Sequence, residues 1–134
     1  MIEQAGKKKM LLFSGSSNVE LASRVASNLG TELSTVQSKE FASGEIYIRL
    51  NESVRGADCF VLQSHSGDVN KTIMEQLVLV DALKRASAKR ITAVLPFYPY
   101  SRQDKKALPR EPITARLIGD MFIAAGVDRL VSID

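Results

Sequence analysis

One cysteine, one histidine and no tryptophan are the first constraints in this 134-residue chain. A single thiol, Cys59, excludes an intrachain disulfide framework and fits a reducing compartment. With one histidine, His65, and no second soft ligand near it, no metal site is expected within the chain. Aromatic residues make up only 6% of the chain, too little for a stacking platform on single-stranded nucleic acid. Charge of one sign is scarce too: the net +3 is matched by Lys7, Lys8 and Lys9 alone, so it describes a tail rather than a basic face. No nucleic-acid partner is expected. No apolar run approaches the roughly 20 residues of a membrane helix, and none precedes Lys7 as a secretory signal requires. The expectation is a cytoplasmic chain without a membrane partner.

What is present reads as one globular unit, with 45% hydrophobic and 25% charged residues. Residues 1–8 read as a flexible basic tail and 9–134 as one domain. Met10-Leu11-Leu12-Phe13 predicts a strand, and the turn-rich Ser14-Gly15-Ser16-Ser17-Asn18 leads into a helix that Gly30 stops. Ser17 and Glu20 have capping-box spacing. Ile46, Ile48 and Leu50 alternate as in a half-buried strand, and 58–63 reads as another. Asn70 is read as the cap of a helix from Lys71 to about Ala88, with Met74, Leu77, Val78, Ala82 and Leu83 on its apolar face. Strands follow at 91–95 and 127–133, and between them Pro112 opens a helix that Gly126 ends. Strand, loop, helix, strand is the grammar of an α/β fold: a three-layer open, mostly parallel sheet.

The connection from Pro96 to Glu111 is too long to be structureless in a compact domain without a functional reason. It carries Arg102, a planar fork of donors, Gln103, an amide able to read a base edge, and Lys105 and Lys106, mobile point charges. Together they suit a polyphosphate, although a solvated charge run has the same composition. Tyr98 and Tyr100 serve equally to wall a base or to pack the loop. Phe41-Ala42-Ser43-Gly44-Glu45 precedes the alternating strand; Phe41 suits a purine face, Ser43 and Glu45 share one side of an extended chain, and Gly44 permits close backbone approach. Ser14-Gly15-Ser16-Ser17 resembles an anion nest, but without P-loop or dinucleotide spacing capping explains it better. Cys59 is mid-strand and expected to pack, and Ser64, His65 and Asp68 have no support as a triad.

These segments closely resemble the ribose-phosphate pyrophosphokinase (phosphoribosyl pyrophosphate synthetase) family. The resemblance covers Lys9 to Asp134 and rests on Phe41-Ala42-Ser43-Gly44-Glu45, Asn51-Glu52-Ser53-Val54-Arg55-Gly56, the stretch Val80 to Ala88, Pro99-Tyr100-Ser101-Arg102-Gln103-Asp104-Lys105-Lys106, and Pro112-Ile113-Thr114-Ala115. It implies a phosphoribosyltransferase-like domain, the first of two. The implied activity moves the β,γ-diphosphoryl group of ATP to the 1-hydroxyl of ribose 5-phosphate, with magnesium, giving phosphoribosyl pyrophosphate and AMP. By similarity, Phe41, Ser43, Gly44 and Glu45 hold the adenine and ribose side of ATP. Arg102, Gln103, Asp104, Lys105, Lys106 and Ala107 match the ATP-contacting loop. Ser53 and Arg55 match a regulatory anion site for phosphate or ADP in a homo-oligomer, usually a hexamer.

Ser43 departs from the family in standing where many members carry Asp, replacing a charged acceptor with a hydroxyl. Ser101 replaces a common Ala. The family's magnesium-binding histidine, basic catalytic loop and acidic phosphoribosyl loop have no counterpart in these residues, so metal ligands and catalytic residues are expected outside the chain. The chain is read as truncated at Asp134 and inactive by itself, within an active parent. Two alternatives remain: a non-catalytic synthetase-associated regulatory subunit of the same fold, and a small flavodoxin-like domain.

Overall fold

A computed structural model describes residues 9–133; the basic tail at 1–8 and Asp134 lie outside the described residues. The central sheet has four parallel strands in the order β1 (Met10–Ser14), β4 (Asp58–Leu62), β5 (Arg90–Leu95), β6 (Arg129–Ser132). Register aligns Leu11 with Cys59 and Cys59 with Ile91, and likewise Phe13 with Val61 and Val61 with Ala93. Because side chains alternate along a strand, these residues all face one side. There they meet Ile73, Leu77, Val80 and Leu83 of α2 (Val69–Arg85) and Ile118 and Phe122 of α3 (Thr114–Ala125) in the main core. The other face is covered by α1 (Val19–Asn28), whose Ala22 and Ala26 pack on Leu12 and Leu62. The result is the three-layer, mostly parallel α/β fold the pattern predicts.

A second, antiparallel pair joins β2 (Val36–Glu40) to β3 (Ile46–Leu50). The strand expected at 46–50 is therefore present but stands outside the main sheet, and its partner was not anticipated. Val36, Ile48 and Leu50 pack against the main core, while the remaining residues of β2 are exposed. Four polar residues after a single valine give no alternation to read.

The helix starts differ from expectation. Asn18, not Ser17, caps α1, its side chain accepting from Leu21 N at 3.2 Å. The Ser17 hydroxyl lies against Gln63 Oε1 at 2.7 Å and the Ser64 carbonyl at 2.6 Å, while Glu20 pairs with Arg24 instead of reaching back to a cap. Helix α2 starts at Val69 after Asp68, so Asn70 lies inside its first turn and its side chain is used elsewhere; the helix ends at Arg85. Met74 is half-exposed, turned from the core. Pro112 precedes α3 by two residues, because Glu111 folds back to accept from Ala107 N and Leu108 N and Ile113 occupies the cap position. Gly126 ends α3 as expected, at φ 122°.

Candidate functional site

The amino end of α2 is the hub of the site. On one side lies a cavity of about 540 Å³ lined by Gly67 to Asn70 and by Phe97, Tyr100, Ser101, Arg102 and Gln103. On the other, a cavity of about 560 Å³ takes its walls from the β2–β3 hairpin (Glu40, Ser43, Gly44, Glu45, Ile46) and from Asp68, Lys71, Met74 and Val78. Only Asp68 lines both.

The sixteen-residue connection is not structureless. Ser101–Gln103 form a 3₁₀ turn entered through Tyr100 in the left-handed region, φ 61°. The Tyr100 hydroxyl donates to Asn70 Oδ1, and the Gln103 amide oxygen accepts from the Thr114 hydroxyl at 2.7 Å. Between these anchors Arg102 is exposed, and among the described residues no ion pair engages Arg102, Lys105 or Lys106. Asp104 follows the turn, and Ala107 N is held by Glu111. Of the two tyrosines left open by the sequence, Tyr98 packs: its hydroxyl donates to the Ala115 carbonyl at 2.7 Å, and burial pushes it above its ordinary pKa. Tyr100 does both, packing on the core and lining the cavity.

At the hairpin, Gly44 supplies the turn at φ 92°. Ser43 Oγ donates to Glu45 Oε1 at 2.8 Å, which orients the pair toward the cavity they line. Phe41 points elsewhere, edge-on to Tyr47 with ring centroids 6.3 Å apart, and Lys39 Nζ lies 5.1 Å from the Phe41 ring centre. Lys71 reaches from α2 to Glu40 at 2.6 Å, which ties hairpin to helix and raises the lysine's affinity for its proton.

Beneath the site runs a polar network that the sequence reading missed. Buried Glu75 accepts from Ser16 N and Ser16 Oγ, the latter at 2.9 Å, and from Gln63 Nε2 at 2.7 Å. Of the Ser14–Ser17 segment, Ser16 is thus engaged by the Glu75 carboxyl group and Ser17 by Gln63. His65 bridges Thr72 Oγ1 and Gln76 Oε1 at 2.8 and 2.7 Å, and burial lowers its pKa. The available signal was Thr72, Glu75 and Gln76 at helical positions among apolar neighbours, where solvent cannot satisfy them.

A sequence profile described as the N-terminal domain of ribose phosphate pyrophosphokinase matches residues 10–126. The chain belongs to this family. It is 59% identical over 128 residues to a ribose-phosphate pyrophosphokinase of Corynebacterium glutamicum, covering 96% of this chain and 39% of that protein. Against the ribose-phosphate pyrophosphokinase of Streptomyces avermitilis it is 55% identical over 133 residues, covering 99% of this chain and 41% of the relative. A crystal structure of phosphoribosylpyrophosphate synthetase from Mycobacterium smegmatis superposes with a TM-score of 0.93 at 56% identity, over 95% of this chain and 43% of that one. The chain spans about two fifths of the length of these relatives.

Within this ribose phosphate pyrophosphokinase domain, every candidate residue falls inside the matched stretch. Ser53 and Arg55 are exposed on either side of Val54, which is buried in the main core, so the two side chains are turned outward together. They stand apart from both cavities, between β3 and β4. Among the described residues no group of three His, Cys, Asp or Glu side chains is placed to hold a metal ion.

Proposed function

We propose that this domain supplies the ATP-binding part of a ribose-phosphate diphosphokinase, a cytoplasmic homo-oligomeric enzyme that transfers diphosphate from ATP to ribose 5-phosphate. The observation that carries this reading is the 3₁₀ turn that holds Gln103 and an Arg102 without an ion pair among the described residues on the wall of a cavity of nucleotide size. A guanidinium fork there would meet phosphate oxygens in two parallel hydrogen bonds. With its oxygen taken by Thr114, Gln103 is left to donate from its amide nitrogen to an acceptor on the base or ribose. Lys105 and Lys106 follow in exposed chain and add positive charge that draws the polyphosphate in. Transfer of a phosphoryl-type group depends mainly on position and charge neutralisation, and these residues contribute to both.

Phe41, Ser43 and Glu45 are assigned to the adenine and ribose side. As the family resemblance implies, the complete site is assigned to a subunit interface; in one chain the hairpin and the Arg102 turn line separate cavities. Ser53 and Arg55 are assigned to a regulatory anion site for phosphate or ADP. The test is Arg102→Ala in the full-length synthetase carrying this domain. Catalytic efficiency should fall by about 100-fold or more, with the thermal midpoint nearly unchanged because the side chain is exposed. A sharp fall in melting without loss of activity per folded molecule would make Arg102 a structural tether.

A further inference from the structure

We propose that Asn70 and Tyr100 are positioning residues, joined by one hydrogen bond that aims Arg102 into its cavity. The proposal rests on the reading of that cavity as the nucleotide site. Arg102 makes no ion pair among the described residues, so its direction is set by the backbone that carries it. That backbone turns through Tyr100 at φ 61°, a conformation an L-residue adopts only when its surroundings hold it, at a cost that favours release.

Besides the packing of the Tyr100 ring on the core, three hydrogen bonds provide the hold. The Tyr100 hydroxyl donates to Asn70 Oδ1 on the first turn of α2, Gln103 N donates to the Tyr100 carbonyl at 2.9 Å, and Thr114 at the start of α3 donates to Gln103 Oε1. The turn is thus fastened at its two ends to two helices that pack on the same core. Asn70 is otherwise a poor choice for its place: it is exposed, intrinsically unfavourable inside a helix, and not the cap. Among the described residues, its bond to Tyr100 is the side-chain hydrogen bond that explains it. Cutting that bond leaves the helix and core intact and lets the left-handed residue relax, which swings Arg102 away from the phosphate position.

The experiment measures initial rate against ATP, at saturating ribose 5-phosphate, for the full-length synthetase carrying this domain. Asn70→Ala and Tyr100→Phe should each raise KM for ATP about tenfold, the loss expected of one well-placed hydrogen bond. The double variant should be no worse than either single variant, since both remove the same bond. In an Arg102→Ala background, Asn70→Ala should have no further effect on KM, a result that general destabilisation would not give. Additive single effects, or unchanged KM in both single variants while Arg102→Ala raises it, would overturn the positioning role and leave the site reading standing. If Arg102→Ala itself leaves KM and kcat unchanged, the site reading falls and the positioning role with it. Thermal melts of each variant separate these outcomes from unfolding, and Asn70→Ala, at an exposed position, carries the test should Tyr100→Phe fold poorly.

Discussion

Gln63 Nε2 donates to Glu75 Oε1 across 2.7 Å, and that one bond ties the carboxyl end of β4 to the second turn of α2. The same glutamine donates to the Thr72 carbonyl at 3.2 Å and accepts from Ser17 N, so both ends of its amide are fixed. The amino end of α2, which lines both cavities, is therefore set from beneath by groups that never reach them.

Gly15→Ala tests how rigid that arrangement is. A Cβ at this position would meet the Gln63 amide atoms at 2.2 to 2.4 Å, and Gln63 is fully buried with every polar atom engaged. It cannot move without leaving Glu75, Ser17 or Thr72 short of a partner. The substitution should destabilise the fold by about 1 to 3 kcal/mol, read by denaturant unfolding. A loss below about 0.5 kcal/mol would show that the network yields.

His65 gives the stability a pH dependence. Gln76 Nε2 donates to the Val61 carbonyl, so Gln76 Oε1 accepts from His65 Nε2–H; Nδ1 lies 2.8 Å from Thr72 Oγ1, whose hydroxyl is shared with the Val69 carbonyl at 2.9 Å. Burial lowers the pKa of His65 from its ordinary 6.5, opposed in part by the Gln76 bond and by Glu75. Between the folded value and 6.5 the unfolded chain binds more protons, so stability rises with pH there. The contribution is complete above 6.5 and is lost as pH falls through the folded pKa. Melting from about pH 8 down to about pH 5 should show this loss in the wild type and a shallower one in His65→Gln. Parallel curves would remove His65 from the account.

The sequence made the layers legible and the floor of the site illegible, for different physical reasons. Buried strands such as Ile91 to Leu95 announce themselves because both faces need apolar residues, and Gly126 marks a helix end because the left-handed turn favours glycine. Strand β2 hides because its pairing is supplied by backbone and only Val36 reaches the core. The Ser16–Gln63–Glu75 contacts hide because their partners are 59 and 12 residues apart. Asn70 misled for a related reason: its side chain has the chemistry of a helix cap, but Asp68 precedes the helix and Tyr100 takes the asparagine.

The turn at 53–55 sets a buried residue, Val54, between two exposed ones, Ser53 and Arg55. Val54 is 1% exposed in the main core, whereas Arg55 is exposed, and the turn closes behind it with Ala57 N donating to the Val54 carbonyl at 2.9 Å. Val54→Ala removes buried apolar volume and should cost about 2 kcal/mol. Arg55→Ala removes only a solvated fork of donors and should cost less than about 0.5 kcal/mol. If Ser53 and Arg55 form the regulatory anion site, Arg55→Ala in the full-length synthetase should shift activation by inorganic phosphate to higher concentration and weaken inhibition by ADP, with KM for ATP little changed. The two effects should move together, because phosphate and the phosphates of ADP would share the guanidinium. The measurement is a phosphate titration of initial rate, with and without ADP, on enzyme whose oligomeric state has been verified. An unchanged phosphate midpoint together with unchanged ADP inhibition, in a protein assembled like the wild type, would leave Arg55 a solvated turn residue whose position is a by-product of burying Val54.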